Sequence, residues 1–221
     1  MHDAAGNTWG ALHVLMSLGL RRARSRDYAG AESIIEDCLV RARACGDEWT
    51  HAHALNHLGD MARCQGDYAR AGELYNQALA SFEAQGQRRV LPSLWHNLGY
   101  VALHGADYAT ALSLFRESLS VYQEQSDRRG VAECLAGIAG VFGAMRDWQR
   151  AARLYGASEA LLKAADTTLW PSNRPDYDRY VAVARSRTDE GNFYAAWVEG
   201  RAMSLEAALG LAKEPVEAVS A

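Results

Sequence analysis

The apolar residues of this chain recur every three or four positions, the spacing of one face of an α-helix, and short polar breaks interrupt them at regular intervals. One helix face precedes the break at residues 64–68 and another follows it. The first comprises Leu55, Leu58 and Ala62, and the second comprises Ala71, Leu74, Tyr75, Ala78 and Leu79. The pattern predicts two antiparallel helices joined by a tight corner, and this helical hairpin is the repeating unit of the chain.

The corner residues recur at intervals of 40 along the sequence. Each corner holds an aspartate followed by an aromatic residue: Asp27-Tyr28, Asp67-Tyr68, Asp107-Tyr108 and Asp147-Trp148. Gly66 can adopt the left-handed conformation that ends a helix, and Asp67 can accept the free backbone amides that begin the next one. A second set of corners, between hairpins, is expected near residues 46–47, 86–87 and 126–127. A fixed period in this range is typical of an α-solenoid.

Small residues form two further columns with the same period. The first contains Gly19, Gly59, Gly99 and Ala139, and the second contains Ala31, Ala71, Ala111 and Ala151. A glycine inside a helix costs about 1 kcal/mol relative to alanine, so its repetition predicts a close approach of the partner helix at its alanine. The space between hairpins is expected to be filled by a third column, which contains Ile35, Tyr75, Phe115 and Tyr155.

These patterns predict an all-α fold, a right-handed α-solenoid of four helical hairpins with a C-terminal helical cap. The hairpins make up residues 1–165, and we expect them at about 9–46, 47–86, 87–126 and 127–165. A loop is predicted at 166–175, where two prolines interrupt the rhythm. Three capping helices within 176–213 should follow, namely 177–188 after the N-cap Asp176, 190–200, and 205–212 after the N-cap Ser204. Residues 214–221 are expected to be a disordered tail.

Composition narrows the class of function. The net charge of −4 predicts no nucleic acid binding by this chain. No apolar run reaches the roughly 18 residues of a membrane span, and the N-terminus does not resemble a secretory signal. The four cysteines form no C-x-x-C pair and are interpreted as small apolar residues in a reducing cytoplasm. Because phosphate-binding loops and catalytic triad patterns are missing, we expect no enzyme activity and no cofactor.

The densest group of candidate metal ligands is a set of histidines, His51, His53 and His57, with His96 one repeat later. His53 and His57 share a helix face, and such a pair can hold zinc. A catalytic zinc site also needs a third ligand and an activated water, and no H-E-x-x-H pattern occurs. A polar wall that faces a ligand or solvent is therefore the favoured interpretation, and no metal is predicted.

The third hairpin carries a recognisable series: Trp95-x2-Leu98-Gly99, then Ala106-Asp107-Tyr108, then Ala111-x3-Phe115. It resembles the tetratricopeptide repeat, with its W-x2-L-G-x2-Y, G-D-Y and A-x3-F-x2-A segments. The second hairpin matches at Leu58-Gly59, Gly66-Asp67-Tyr68, Ala71, Tyr75 and Ala78. The closing proline of the family is missing, and the period is 40 rather than about 34, which indicates longer helices.

This long variant resembles the repeats in the sensor regions of bacterial transcriptional regulators of the LuxR and signalling-ATPase types. The segment 195–208 is similar to the end of the repeat region in the same proteins. The resemblance implies a module that binds a protein or peptide, as the sensor or interaction region of such a regulator. Two alternatives stay open, a stand-alone scaffold for complex assembly and a receptor for a small effector, and so does association into homo-oligomers.

The resemblance also implies that the first helix of each hairpin lines an inner wall that meets the partner. The candidate binding residues on this wall are His13, Met16, His53, Asn56, Asp60, His96, Tyr100 and Glu133. Family members that grip a peptide carboxylate use Lys, Asn and Arg at these columns, and this chain places apolar and acidic residues there instead. We therefore expect a peptide or partner segment rather than a carboxylate clamp.

Overall fold

The computed structural model describes residues 2–215, with side chains from residue 10 onward. This part of the chain forms eleven α-helices and contains no strand. The helices are α1 (His2–Arg24), α2 (Tyr28–Cys45), α3 (Glu48–Cys64), α4 (Tyr68–Ala84), α5 (Leu91–His104), α6 (Tyr108–Glu124), α7 (Arg128–Ala144), α8 (Trp148–Ala164), α9 (Arg174–Ser186), α10 (Glu190–Ala202) and α11 (Leu205–Lys213). The predicted all-α fold of successive helical hairpins followed by C-terminal helices is confirmed.

Two helices begin away from the expected positions. α1 starts at His2, before the expected start of the first hairpin near residue 9. α5 starts at Leu91, after a turn at residues 88–90, and not directly after the corner at 86–87. Gln87 stands where six other corners have a capping aspartate, and Pro92 fits the first turn of a helix, where its missing N–H has no partner to lose.

The corners obtain their shape from two adjacent residues, as expected. At the end of α3, Gly66 has a φ of 87° and its N–H donates to the Arg63 carbonyl at 3.0 Å. The N–H of Asp67 donates to the Ala62 carbonyl at 2.9 Å, which completes a Schellman cap. The Asp67 carboxylate then accepts the Arg70 N–H at 3.0 Å. One residue pair therefore ends α3 and begins α4.

The same geometry recurs every 20 residues, at the corners within hairpins and at the corners expected between them. Positive φ angles occur at Arg26, Gly46, Gly66, Gly86, Ala106, Ser126, Arg146 and Asp166. The side chains that cap the next helix belong to Asp27, Asp47, Asp67, Asp107, Asp127 and Asp147. Corners within hairpins and corners between hairpins therefore have the same backbone conformation. Glycine occupies the left-handed position at only some of them.

The chain divides into two compact units, Met1–Leu94 and Trp95–Ala221, and each is described by itself. In the first unit, a buried cluster joins α1, α2 and α3: Leu12, Met16, Ala31, Ile35, Cys38, Ala42, Ala54, Leu58 and Met61. In the second unit, one larger cluster joins α5 to α8 with side chains of all three C-terminal helices, including Val181, Ala184, Phe193, Ala196, Ala208 and Ala212. α10 and α11 contact α8, and α9 contacts α7.

The glycine column faces the large side chains of the third column, which corrects the expected pairing with alanine. A Cβ at Gly59 would lie 2.6 Å from Cε1 of Tyr75, and a Cβ at Gly99 would lie 2.8 Å from Cε1 of Phe115. A ring that projects from the second helix needs a recess in the first helix, and glycine leaves one at these two positions. Phe115 also contacts Gly137 of α7, so this ring fills the space between hairpins as predicted.

The beginning of the C-terminal region differs from the prediction. α9 starts at Arg174, with Asn173 at its N-cap position, so Asp176 is not the cap; it lies buried in the first turn. Pro175 in that turn already fixes the φ angle that a helix needs.

The next two helices of this region, α10 and α11, begin closer to their predicted positions. Asp189 caps α10, and Ser204 caps α11 by accepting the Ala207 N–H at 3.1 Å, as predicted. In the expected tail, the carbonyls of Glu214 and Pro215 accept hydrogen bonds from arginines of α6 and α8. Residues 216–221 lie outside the described residues.

Among the helices of residues 2–215, none combines the length and the apolar character that crossing a membrane requires.

Candidate functional site

An aromatic and imidazole surface lies on α1 and α3 of the first unit. The ring of Trp49 packs against that of His53 with centroids 3.9 Å apart, and the ring centroid of His13 of α1 lies 6.3 Å from that of Trp49. Trp49 is 39% exposed and His13 is exposed. Asn56 lies one turn after His53 and is half-buried. We call these four residues, His13, Trp49, His53 and Asn56, the Trp49 surface.

His53 connects this surface to the core. Its ring meets Phe82 of α4 edge-on at 4.9 Å and lies 6.3 Å from the ring of His57. Burial, followed by the neighbouring imidazoles of His57 and His13, lowers the pKa of His53 to about 4. The imidazole is therefore neutral at pH 7, and its Nε2 atom is buried without a hydrogen-bond partner.

A chain of polar groups runs inward from His57. Its Nδ1 lies 3.5 Å from Oδ2 of Asp60, and Oδ1 of Asp60 accepts the Tyr75 hydroxyl at 2.9 Å. Nε of Arg63 donates to the same hydroxyl at 3.1 Å, although the Arg63 side chain is fully buried. Burial raises the pKa of Tyr75 well above its ordinary value, and the Asp60 charge adds to this. Asp60, a predicted binding residue, is thus engaged with the interior.

The other predicted binding residues are not exposed. Met16 lies in the core of the first unit, and in the second unit His96 and Tyr100 are each 2% exposed. The rings of His96 and Tyr100 pack edge-on against Phe115 at 5.5 and 5.1 Å. The expectation that they form an open wall fails because the third column, from the second helix, reaches them and encloses them.

Glu133 is buried because the chain's own C-terminal region covers α7. Its Oε1 accepts the backbone N–H of Trp170 at 2.6 Å. One turn earlier, Nε of Arg129 donates to the Thr167 hydroxyl at 2.8 Å, and the guanidinium lies 4.8 Å from the Trp170 ring centroid. The segment 167–173 is therefore fastened to α7 at the positions that correspond, 80 residues on, to Trp49 and His53.

The predicted candidates also include the histidine cluster of α3. Among the described residues, no group of three or more His, Cys, Asp and Glu side chains has the arrangement that could hold a metal ion. None of the four cysteines forms a disulfide; Cys38 and Cys134 are buried, and Cys45 is exposed. Burial raises the pKa of Cys38 to about 11, so this thiol is protonated and behaves as a small core residue.

Trp49 was missed among the predicted site residues. It lies four residues before His53 and shares its helix face, so the spacing alone could have added it to the candidates. The sequence could not show that Tyr100 and Glu133 are enclosed, because the residues that enclose them come from other helices or from a segment 37 positions away.

Two family models match the chain, and both describe the tetratricopeptide repeat; they cover residues 51–84 and 90–164. No match was found among curated proteins. The matched residues coincide with the hairpins from α3 to α8 and with their glycine and aromatic columns. Repeats of this family serve protein–protein interaction and scaffolding and are in general not catalytic. From its hairpins, its columns and these matches, we conclude that the chain contains tetratricopeptide repeats, within residues 51–84 and 90–164, in a fold of the α-solenoid class.

Proposed function

We propose that the chain binds a protein or peptide partner through the Trp49 surface of its first unit. The observation that carries the proposal is a comparison of equivalent positions in two hairpins. Arg129 and Glu133 of the fourth hairpin hold a segment of the chain itself, whereas Trp49 of the second hairpin remains 39% exposed. The same columns that receive a segment in one hairpin are therefore open to a segment in the other.

The chemistry of the Trp49 surface favours a partner that brings an apolar or aromatic side chain. Tryptophan is enriched among the residues that dominate binding energy at protein interfaces, because its large rigid ring is desolvated at little entropic cost. The neutral imidazole of His53 packs against the Trp49 ring and adds no charge at pH 7. His13 lies beside the ring, and Asn56 follows two turns later on α3, so both can supply polar groups to the same partner.

Of the predicted binding residues, we therefore retain His13, His53 and Asn56 for direct contact. Asp60 contributes indirectly, by holding His57 and Tyr75 in place beneath the surface. Met16, His96, Tyr100 and Glu133 belong to the interior in this conformation, so their substitution would report on stability and not on binding.

We further propose that the chain acts in the cytoplasm, without enzyme activity or direct nucleic acid binding, as the sensor or interaction region of a bacterial transcriptional regulator. The support is the similarity of segment 195–208, which forms the end of α10 and the start of α11, to the end of the repeat region in such regulators. An adjoining reading frame that encodes an ATPase or a helix-turn-helix domain would strengthen this assignment. A partner unrelated to transcription would favour a stand-alone scaffold.

The decisive experiment is a comparative capture from a native lysate of the source cells. Immobilised wild type, Trp49→Ala and Val40→Ala are compared, since Val40 is 66% exposed on α2 and serves as a matched control. We expect a protein that wild type and Val40→Ala retain and that Trp49→Ala loses. Thermal unfolding of all three checks that the fold is intact. A partner retained equally by the three variants would place the binding site elsewhere.

A further inference from the structure

Helix α10 of the second unit is apolar on two opposite faces. One face packs on the core of the unit and carries Phe193, Ala196 and Gly200, all of them buried. The opposite face is open and has no charged side chain along its centre; at the spacing of one helix face it carries Gly191, Tyr194, Ala195, Val198 and Ala202. Tyr194 is 64% exposed and Val198 is 43% exposed. We call these residues the α10 face, and its composition is typical of a helix side that another protein surface covers.

The two edges of the α10 face carry polar residues in a symmetric arrangement. One edge has Glu190 at the beginning of the helix and Arg201 at its end, and both are exposed. These two residues lie about 16 Å apart along the helix, too far to pair with each other. The other edge has Asn192 and Glu199, which are also exposed. Both pairs have the same midpoint, between positions 195 and 196, so the two edges share one centre of symmetry.

A second copy of the chain provides the surface that matches this arrangement. When two copies of α10 lie antiparallel about a two-fold axis, each edge meets the same edge of the other copy in the reverse direction. With the axis at the shared midpoint, Glu190 lies opposite Arg201 of the second copy, and each such contact forms twice. On the other edge the Asn192 amide can donate to the carboxylate that stands opposite it. In the same register Val198 falls between Gly191 and Ala195 of the second copy, whose small side chains leave room for it.

We propose that the α10 face is a homodimer interface, in which two copies of α10 pack antiparallel and Glu190 of each copy pairs with Arg201 of the other. Helix α10 is 13 residues long, so this interface is smaller than the standard protein–protein interface. The dimer is therefore weak, with a dissociation constant of about 10–100 µM. Dimerisation through α10 does not depend on the Trp49 surface, and either proposal can fail without the other.

Charge reversal tests the proposed pairs. Sedimentation velocity of the full chain, at about 5–500 µM, should show a dimer that forms with rising concentration. Glu190→Arg alone, or Arg201→Glu alone, places like charges opposite each other at both contacts and should weaken the dimer at least about tenfold. In an equimolar mixture of these two variants, every contact of a mixed dimer joins opposite charges again, so dimerisation should recover. Glu73→Arg makes the same charge change at an exposed position of α4 and should dimerise as the wild type does. A monomeric wild type, an unaffected dimer in either interface variant, or no recovery in the mixture overturns the proposal.

Disulfide formation tests the register. Ala195→Cys and Ala202→Cys are made separately in a Cys45→Ser background, which removes the exposed thiol. In the proposed dimer the two copies of residue 195 are about 2 Å apart along the helix direction, whereas the two copies of residue 202 are about 20 Å apart. Mild oxidation should therefore link two chains through Ala195→Cys and leave Ala202→Cys monomeric, although both positions are exposed. Equal linkage of the two variants, or no linkage through Ala195→Cys, contradicts the antiparallel interface.

Discussion

Gly156 of α8 and Gly200 of α10 lie at a crossing where the two helix backbones touch. A Cβ at Gly156 would overlap the carbonyl oxygen of Trp197, and a Cβ at Gly200 would overlap the carbonyl oxygen of Arg153. Both obstacles are backbone atoms, which cannot turn aside as a flexible side chain can. The crossing fixes α10 against the last hairpin, and the Trp197 indole adds a hydrogen bond to Glu159 at 2.7 Å.

The first prediction concerns this crossing. Gly200→Ala should destabilise the second unit by at least about 2 kcal/mol, because the helices must separate to admit one methyl group. Gly210→Ala is the control, since a Cβ at Gly210 in α11 meets nothing within 4 Å. The control should be neutral or stabilising by up to about 1 kcal/mol, as expected for an exposed helical glycine. Denaturant unfolding measures both, and equal stability of the two variants would mean that the helices do not touch there.

The second prediction compares two tyrosines at equivalent positions of the second and fourth hairpins. Tyr75→Phe removes a hydroxyl that bonds to Asp60 and to the buried Arg63, so it should cost about 1–3 kcal/mol. Tyr155→Phe removes a hydroxyl that has no partner, so it should be neutral or stabilising. The free energy of unfolding of each variant decides the matter. A clear loss of stability in Tyr155→Phe would show that its hydroxyl is bonded in solution.

The corners and the docking of α9 on α7 differ in how far the sequence predicts them. Gly66 and Asp67 act on backbone groups within five residues, so their roles follow from local chemistry. The docking of α9 depends on Gly140 and Gly143, which in the sequence resemble any other small residues of an apolar helix. The two glycines stand out only when they are compared with Asp60 and Arg63, which lie 80 positions earlier. That comparison is informative only once the structure shows that Asp60 and Arg63 both bond to the Tyr75 hydroxyl.

The enclosed residues of the candidate site show the same limit. The resemblance implied that Tyr100 and Glu133 lie on an inner wall that meets a partner, because both belong to the first helix of a hairpin. Their burial arises from Phe115, which crosses from the second helix, and from Trp170, which is 37 residues beyond Glu133. Periodicity assigns a residue to a helix face, whereas burial depends on which segment returns to cover that face.

A third prediction follows from the left-handed residues of the corners. Ala106 has a φ of 58°, which costs an L-residue about 1 kcal/mol, and Gly105 precedes it outside the left-handed region. Exchanging the two, as Gly105→Ala with Ala106→Gly, should raise the free energy of unfolding by about 1 kcal/mol without changing composition. Gly66→Ala, at φ 87°, should lower it by a similar amount. Thermal unfolding of both variants gives the sign of the change in stability. Loss of stability in the exchange variant would contradict the left-handed conformation of residue 106.

A fourth prediction concerns the stability of the protein at acidic pH. Burial lowers the pKa of His53 to about 4 in the folded state, against about 6.5 in the unfolded chain, so the unfolded state binds the proton more readily between these values. The stability that follows from keeping His53 neutral should therefore be fully present above about pH 6.5. As the pH falls towards 4, the free energy of unfolding should decrease by up to about 3 kcal/mol. His53→Phe should flatten this part of the profile. The control, His104→Gln, replaces an exposed histidine and should leave it unchanged.

The last prediction concerns the C-terminal helices. Removing residues 166–221 should expose the apolar surfaces of α7 and α8 that Val181, Phe193 and Ala208 now cover. We expect aggregation or a broad, non-cooperative transition, because an uncovered terminal hairpin leaves a solenoid core open to water. Removing only residues 216–221 is the control, since it keeps α11 and the carbonyl contacts of Glu214 and Pro215. Calorimetry and light scattering compare the two, and a monomeric, equally stable chain ending at Ala165 would mean that these helices do not contribute to the core.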